Sequence, residues 1–174
     1  MLVLKGLAKR RRSDLAVALV APAPYHIAPD LLPGYVAGDH ALDELRIPLD
    51  ELVDASGATF VPAHVHSLDP NGRRVQLSSG DALPYDVLSI NVEPSVERDL
   101  MEQRVPGARE NALFAHPADA FVRLWPQLLQ LAQQRALQVA VMADDLRGVE
   151  LAMAVAHAIA APHGRVTLVA GSQP

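Results

Sequence analysis

Residues 138–171 constrain the fold more than any other stretch. Residues 138–142, QVAVM, form a short apolar run, and residues 143–148 read Ala-Asp-Asp-Leu-Arg-Gly. Residues 149–160 are a helical stretch of Val, Ala, Leu and Met, and residues 164–171, GRVTLVAG, are a second apolar run. Strand, turn, helix, strand in that order is a βαβ unit. Its crossover is expected to be right-handed because a right-twisted strand packs its helix back on the sheet only that way. Strands written as unbroken apolar runs belong to parallel sheets covered on both faces. The chain is half apolar but only 4% aromatic, so its core is aliphatic, as in helices packed on sheets. The predicted class is α/β.

The rest of the chain agrees. Residues 2–8, LVLKGLA, read as the end of an apolar helix, and the basic residues that follow complement the negative end of its dipole. Residues 14–22 are a buried parallel strand. Residues 22–40 are too rich in proline and glycine for regular structure. A short helix follows and ends at Gly57. Runs at 59–69, 73–79 and 83–92, separated by Pro-Asn-Gly and Gly-Asp-Ala, read as an antiparallel β-meander spanning 58–92. Residues 105–114 are an irregular connection. Residues 118–134 are helical, with Phe121, Leu124, Leu128 and Leu131 at helical spacing and Pro126 expected to kink or restart the helix. Helix followed by DLAVALVAPAP near the start loosely echoes helix followed by GRVTLVAGSQP near the end.

Several function classes drop out. A net charge of −5 opposes nucleic-acid binding, which needs excess Lys and Arg. The absence of cysteine removes disulfides, thiolate chemistry, iron–sulfur clusters and cysteine-held zinc. No run of about twenty apolar residues is available to span a membrane, and Met1–Ala8 is too short for the apolar part of a signal peptide. A cytoplasmic setting is expected, with peripheral membrane association left open.

A dinucleotide site places Gly-x-Gly-x-x-Gly between strand and helix. The first glycine makes the turn, the second lets backbone approach the pyrophosphate, and the third lets helix and strand pack closely. On that template Ala143 and Asp145 replace the first two glycines, and Gly148 keeps the third. Helix N-termini bind anions through free N–H groups and the dipole. Asp144 and Asp145 put carboxylates there instead, which cap the helix themselves. They also repel a pyrophosphate, by about 1–4 kcal/mol for like charges about 4 Å apart. A capped structural turn is expected, with Arg147 able to offset only part of the charge.

Beyond these patterns, LVLKGLA, APAPYHIAPDLLPGYVAG, ALDELRIPL, GATFVPAHVHSLDPNGRRVQLSSGDALPYDVLSINV, VPGARENALF and GVELAMAVAH follow one another along the chain. In that order they resemble the pyridine nucleotide-disulfide oxidoreductases, and within them the type II NADH dehydrogenase-like flavoproteins. The resemblance implies FAD in a first Rossmann-like domain and NAD(P)H in a second, with hydride passing to the flavin and on to an acceptor. It places Tyr25, His26, Pro33, Gly34, Val65, Asn91, Val92 and Glu93 toward FAD. Ala143, Asp145, Gly148 and Glu150 fall toward NAD(P)H, with Glu150 either near a nicotinamide or supporting the first helical turn.

There are departures. The family's opening strand and first glycine loop precede the point where this chain starts, and Ala21-Pro22 stands where an acidic ribose-binding residue would end a strand. Glu93 stands where a glycine-containing turn approaches the flavin.

Other constellations are weaker. His64 and His66, two apart in a strand, share a face but lack a third ligand. Asp39, His40, Asp43 and Glu44 read as a polar loop rather than a metal site. The serines show no nucleophile-elbow pattern.

The expected architecture is therefore α/β, with two partial Rossmann-like FAD/NAD(P)-binding lobes, 1–115 and 116–174, joined by the meander. A missing first strand would expose a sheet edge, to be covered by a homo- or hetero-oligomeric partner or by further residues of a longer natural chain. Two functions remain: a truncated or degenerate flavin oxidoreductase without autonomous catalysis, or a non-catalytic interaction module on the same fold.

Overall fold

The computed structural model describes residues 2–10, 14–92, 98–160 and 164–171. They form two compact units interleaved along the chain. One holds Met1–His26 and Ile47–Val92, the other Ile27–Arg46 and Glu93–Pro174. The expected lobes 1–115 and 116–174 are consecutive, whereas these units interleave, with residues 27–46 and 98–115 grouped with the C-terminal βαβ unit.

In the first unit, α1 (Leu2–Arg10) precedes β1 (Ala18–Ala21) and packs on α4 (Asp50–Ser56). Helix α4 ends at Gly57, whose φ of 68° turns the chain left-handed and lets its N–H bond the carbonyls of Val53 and Asp54. The chain then enters β4 (Thr59–Pro62), which pairs in parallel with β1 over Ala18–Ala21. This is a βαβ-like pairing, but of two short strands. Strands β5 (Val65–Asp69), β6 (Arg74–Leu77) and β7 (Ala82–Pro84) form an antiparallel sheet in sequence order. The expected meander is present, with corrections. The 59–69 run is two strands, and they belong to different sheets. The 83–92 run is a strand only to Pro84. Beyond it, Val87, Ile90 and Val92 are exposed, with no neighbouring strand among the described residues to hold them in a ladder.

Chain crossings between the units lie at β2 (Tyr25–Ile27) and β3 (Arg46–Pro48), which pair with each other. The Pro- and Gly-rich stretch at 22–40 is more regular than its composition suggests. After β2 come a 3₁₀ turn (Pro29–Leu31), α2 (Leu32–Ala37) and α3 (Leu42–Leu45). Pro33 lies in the first turn of α2, where a missing N–H costs nothing, and Gly38 closes the helix with φ 90°. Proline and glycine here mark the ends of short helices rather than their absence.

In the second unit, α5 (Arg98–Arg104), α6 (Ala108–Asn111) and α7 (Ala118–Gln134) lead to β8 (Gln138–Ala143), α8 (Leu146–Ala158) and β9 (Arg165–Ala170). Helix α6 lies inside the connection expected to be irregular. Strands β8 and β9 are parallel in register from Gln138–Arg165 to Ala143–Ala170, so the βαβ reading holds. Helix α8 begins three residues earlier than the apolar pattern suggested, because Asp145 caps it. Helix α8 packs on α2 and on both strands.

The apolar face of α7 buries Phe121, Val122, Trp125 and Ala132. The rings of Phe121 and Trp125, four residues apart, stack with centroids 5.8 Å apart and planes within 13°. Leu124 and Leu131, expected on the same core stripe, are 40% and 38% exposed. The helix turns its aromatic side inward and leaves them at the margin. Pro126 sits inside the continuous helix. It has no N–H for the carbonyl of Val122 four residues back. The Tyr35 hydroxyl donates to that carbonyl at 3.3 Å, and burial pushes the Tyr35 phenol up from its ordinary value.

A carboxylate clip joins α5 to α6. Glu102 accepts the backbone N–H of Gly107 at 2.7 Å and of Arg109 at 2.8 Å. The Gly107 N–H, then that of Arg109, holds the Glu102 carboxyl below its usual value. A depressed folded value contributes stability that is present above the unfolded value and lost as pH falls through the folded one. Urea midpoints of wild type and Glu102→Gln should therefore differ at neutral pH and converge in acid. A gap that is constant with pH would rule the clip out.

Candidate functional site

The site builds from the β8–α8 turn. Strand β8 ends at Ala143, and the helix begins at Leu146 with Asp145 extended as its cap. The Asp145 side chain accepts the N–H of Gly148 at 2.9 Å. That N–H is one of the helix-start donors that would otherwise face an anion. Asp144 and Asp145 are both exposed at this turn. A Cβ on Gly148 would collide with the Cβ of Ala143, so the third glycine serves strand–helix packing, as its template role requires. Arg147 does not turn back over the loop. It reaches Asp30 at 3.6 Å, with both side chains more than 70% exposed, a pairing worth little by itself.

Pro29, Asp30, Pro33, Leu146, Arg147 and Glu150 line a hollow of about 240 Å³. Pro33, assigned toward FAD by resemblance, and Glu150, assigned toward NAD(P)H, thus line the same hollow because α2 packs on α8. Arg147 and Asp30 are the members the sequence reading missed as a pair. Their separation of more than a hundred residues leaves no local signal. Asp30, Glu150 and Arg147 leave the hollow one negative charge in excess, and its volume lies below the roughly 300–1,000 Å³ typical of small-molecule pockets.

The remaining residues fall as follows. Gly34 is in α2, against the His40 ring, where a Cβ would collide. Tyr25 and His26 are half-buried in β2, in the first unit. Val65 begins the exposed strand β5, and Asn91 and Val92 are exposed beyond β7. Glu93 lies outside the described residues. His64 precedes β5 and His66 lies within it, at a register shift between Val65 and Ser67. The even alternation that would set the two rings on one face is interrupted there. His40 pairs with Glu44 at 3.0 Å and Asp43 with Arg46 at 2.9 Å. Among the described residues no group of three His, Cys, Asp or Glu side chains could hold a metal, and no helix is long and apolar enough to cross a membrane.

Fold and loop together define an α/β chain of Rossmann-like type, and its likeness is to the pyridine nucleotide-disulfide oxidoreductases. An NADH dehydrogenase-like protein of Mycobacterium tuberculosis is 31% identical over 156 residues, covering 83% of this chain and 37% of the relative. The chain thus spans little more than a third of the length of this curated relative. Solved structures share the fold. The sulfide:quinone oxidoreductase of Aquifex aeolicus superposes with a TM-score of 0.66 at 21% identity, over 86% of this chain and 36% of that one. A ferredoxin reductase of Rhodopseudomonas palustris does so with a TM-score of 0.66 at 19% identity, over 95% and 38%. No family model matches the chain.

Proposed function

We propose that this chain is a degenerate member of the NADH dehydrogenase-like flavin oxidoreductases, one that keeps the packing of the dinucleotide-binding fold and performs no hydride transfer by itself. The observation behind this reading is the Asp145 carboxylate on the Gly148 N–H. In a working loop, that end of the helix faces the pyrophosphate. Here a side chain takes one of its N–H groups, and Asp144 adds a second negative charge beside it. Arg147, the nearest cation in sequence, leans toward Asp30. The residues of the loop therefore do not fit a pyrophosphate.

The runner-up is an interaction module on the same fold, in which another chain covers what this one leaves open. Val87, Ile90 and Val92, exposed within one short stretch, favour it, since exposed apolar side chains grouped in one patch mark interaction sites whereas single ones do not.

The deciding experiment is the visible absorbance spectrum of the purified protein, alone, with excess FAD, and then with NADH. A colourless protein that retains no flavin and leaves NADH unoxidised is the expected result, and it keeps both readings. Flavin bands that bleach on adding NADH would overturn the degenerate loop and the charge argument with it.

A further inference from the structure

We propose that Asn71 is a site of spontaneous deamidation and that the Asp69 carboxylate acts as a brake on it. This goes beyond the oxidoreductase reading and stands independently of it. The chain has three asparagines, Asn71, Asn91 and Asn111, and only Asn71 precedes a glycine.

In the reaction the Gly72 backbone nitrogen loses its proton and attacks Cγ of Asn71. A carbon–nitrogen bond closes a five-membered succinimide, and the side-chain nitrogen leaves as ammonia. Water then opens the ring at either carbonyl, leaving aspartate or isoaspartate. Nothing is oxidised or reduced, and solvent is the only co-reactant. A side chain on the following residue obstructs the attack, and glycine has none.

The structure separates the three positions. Asn71 lies in the exposed four-residue connection, 70–73, between β5 and β6. Asn91 precedes the β-branched Val92. Asn111 donates its side-chain N–H to the Gly107 carbonyl at 3.0 Å. Its would-be nucleophile, the Ala112 N–H, is already bonded to Ala108 at 2.9 Å.

Asp69 lies directly over the reacting nitrogen. Its Oδ1 accepts the Gly72 N–H at 2.9 Å, and a Cβ on Gly72 would collide with its carboxylate. The hydrogen bond must break before the proton leaves, and the amide anion would then form beside a like charge. The folded turn should therefore react more slowly than the same segment unfolded. Conversion would set a second carboxylate two residues from Asp69. An isoaspartate would also lengthen the backbone of a turn that closes the Asp69–Arg74 pair.

The test is peptide mapping of the purified full chain after ageing at mildly alkaline pH. The amide-to-acid mass change should appear at residue 71 as both isomers and be absent from Asn71→Gln. Asp69→Ala should convert about five- to tenfold faster, the factor expected for losing one solvent-exposed hydrogen bond of ordinary strength. The two rates should meet in denaturant. Intact Asn71 beside converted Asn91 or Asn111 would overturn the site. An Asp69→Ala rate equal to or below wild type under native conditions, with its circular dichroism unchanged, would overturn the brake.

Discussion

Trp125→Ala should lower the unfolding free energy by about 3–5 kcal/mol, the range for emptying a buried aromatic site. Trp125 is 2% exposed and stacked on Phe121, so its removal leaves a void that α7 can close only by moving. The indole Nε1 is buried with no hydrogen-bond partner, and such an orphan costs about 1–3 kcal/mol. Trp125→Phe removes that orphan while keeping much of the ring, and should stay within about 1–2 kcal/mol of wild type. Urea unfolding followed by far-ultraviolet circular dichroism checks both, since Trp125 is the single tryptophan and its fluorescence is lost with it. An Ala variant within 1 kcal/mol of wild type would show that α7 does not anchor its unit.

Gly148→Ala comes next, with an expected loss of about 1–3 kcal/mol, as for an overpacked contact. The added methyl would meet the Cβ of Ala143, and neither the strand end nor the first turn of α8 can retreat without breaking the Asp145 cap. Gly6→Ala is the matched control. It lies in α1 with nothing near its would-be Cβ, so the better helix propensity of alanine should stabilise by roughly 0.5–1 kcal/mol. Equal effects at the two glycines would mean that the β8–α8 turn has slack, and then the close packing that shapes the loop would be absent. This glycine is needed for packing whether or not a dinucleotide is bound. Its presence in the template therefore says nothing about binding, whereas Asp145 does.

Much of the second unit was legible in the sequence. The 138–171 pattern is local, each strand and the helix being written in one continuous run. The cap at Asp145 follows from the side chain's own reach to an N–H three residues on. In the 22–40 segment composition misleads, because proline and glycine break a helix interior but Pro33 starts a helix here and Gly38 ends one. The 83–92 run misleads for a different reason. Its apolar residues satisfy strand propensity, but a strand exists only where a neighbour supplies the other half of the ladder.

The sequence by itself determined the α/β class, the order of the βαβ unit, the acidic cap at its loop and the absence of cysteine. These rest on local reach and on residue type. Only the tertiary structure decided that Pro33 and Glu150 line one hollow, and that Arg147 answers Asp30 rather than the loop. The tertiary structure also revealed that Tyr35 satisfies the carbonyl Pro126 leaves open and that residues 27–46 pack with the C-terminal unit. Each of these joins residues more than eighty positions apart or regroups the chain. Such a contact depends on which faces meet when helices pack, and no local pattern along the chain records that.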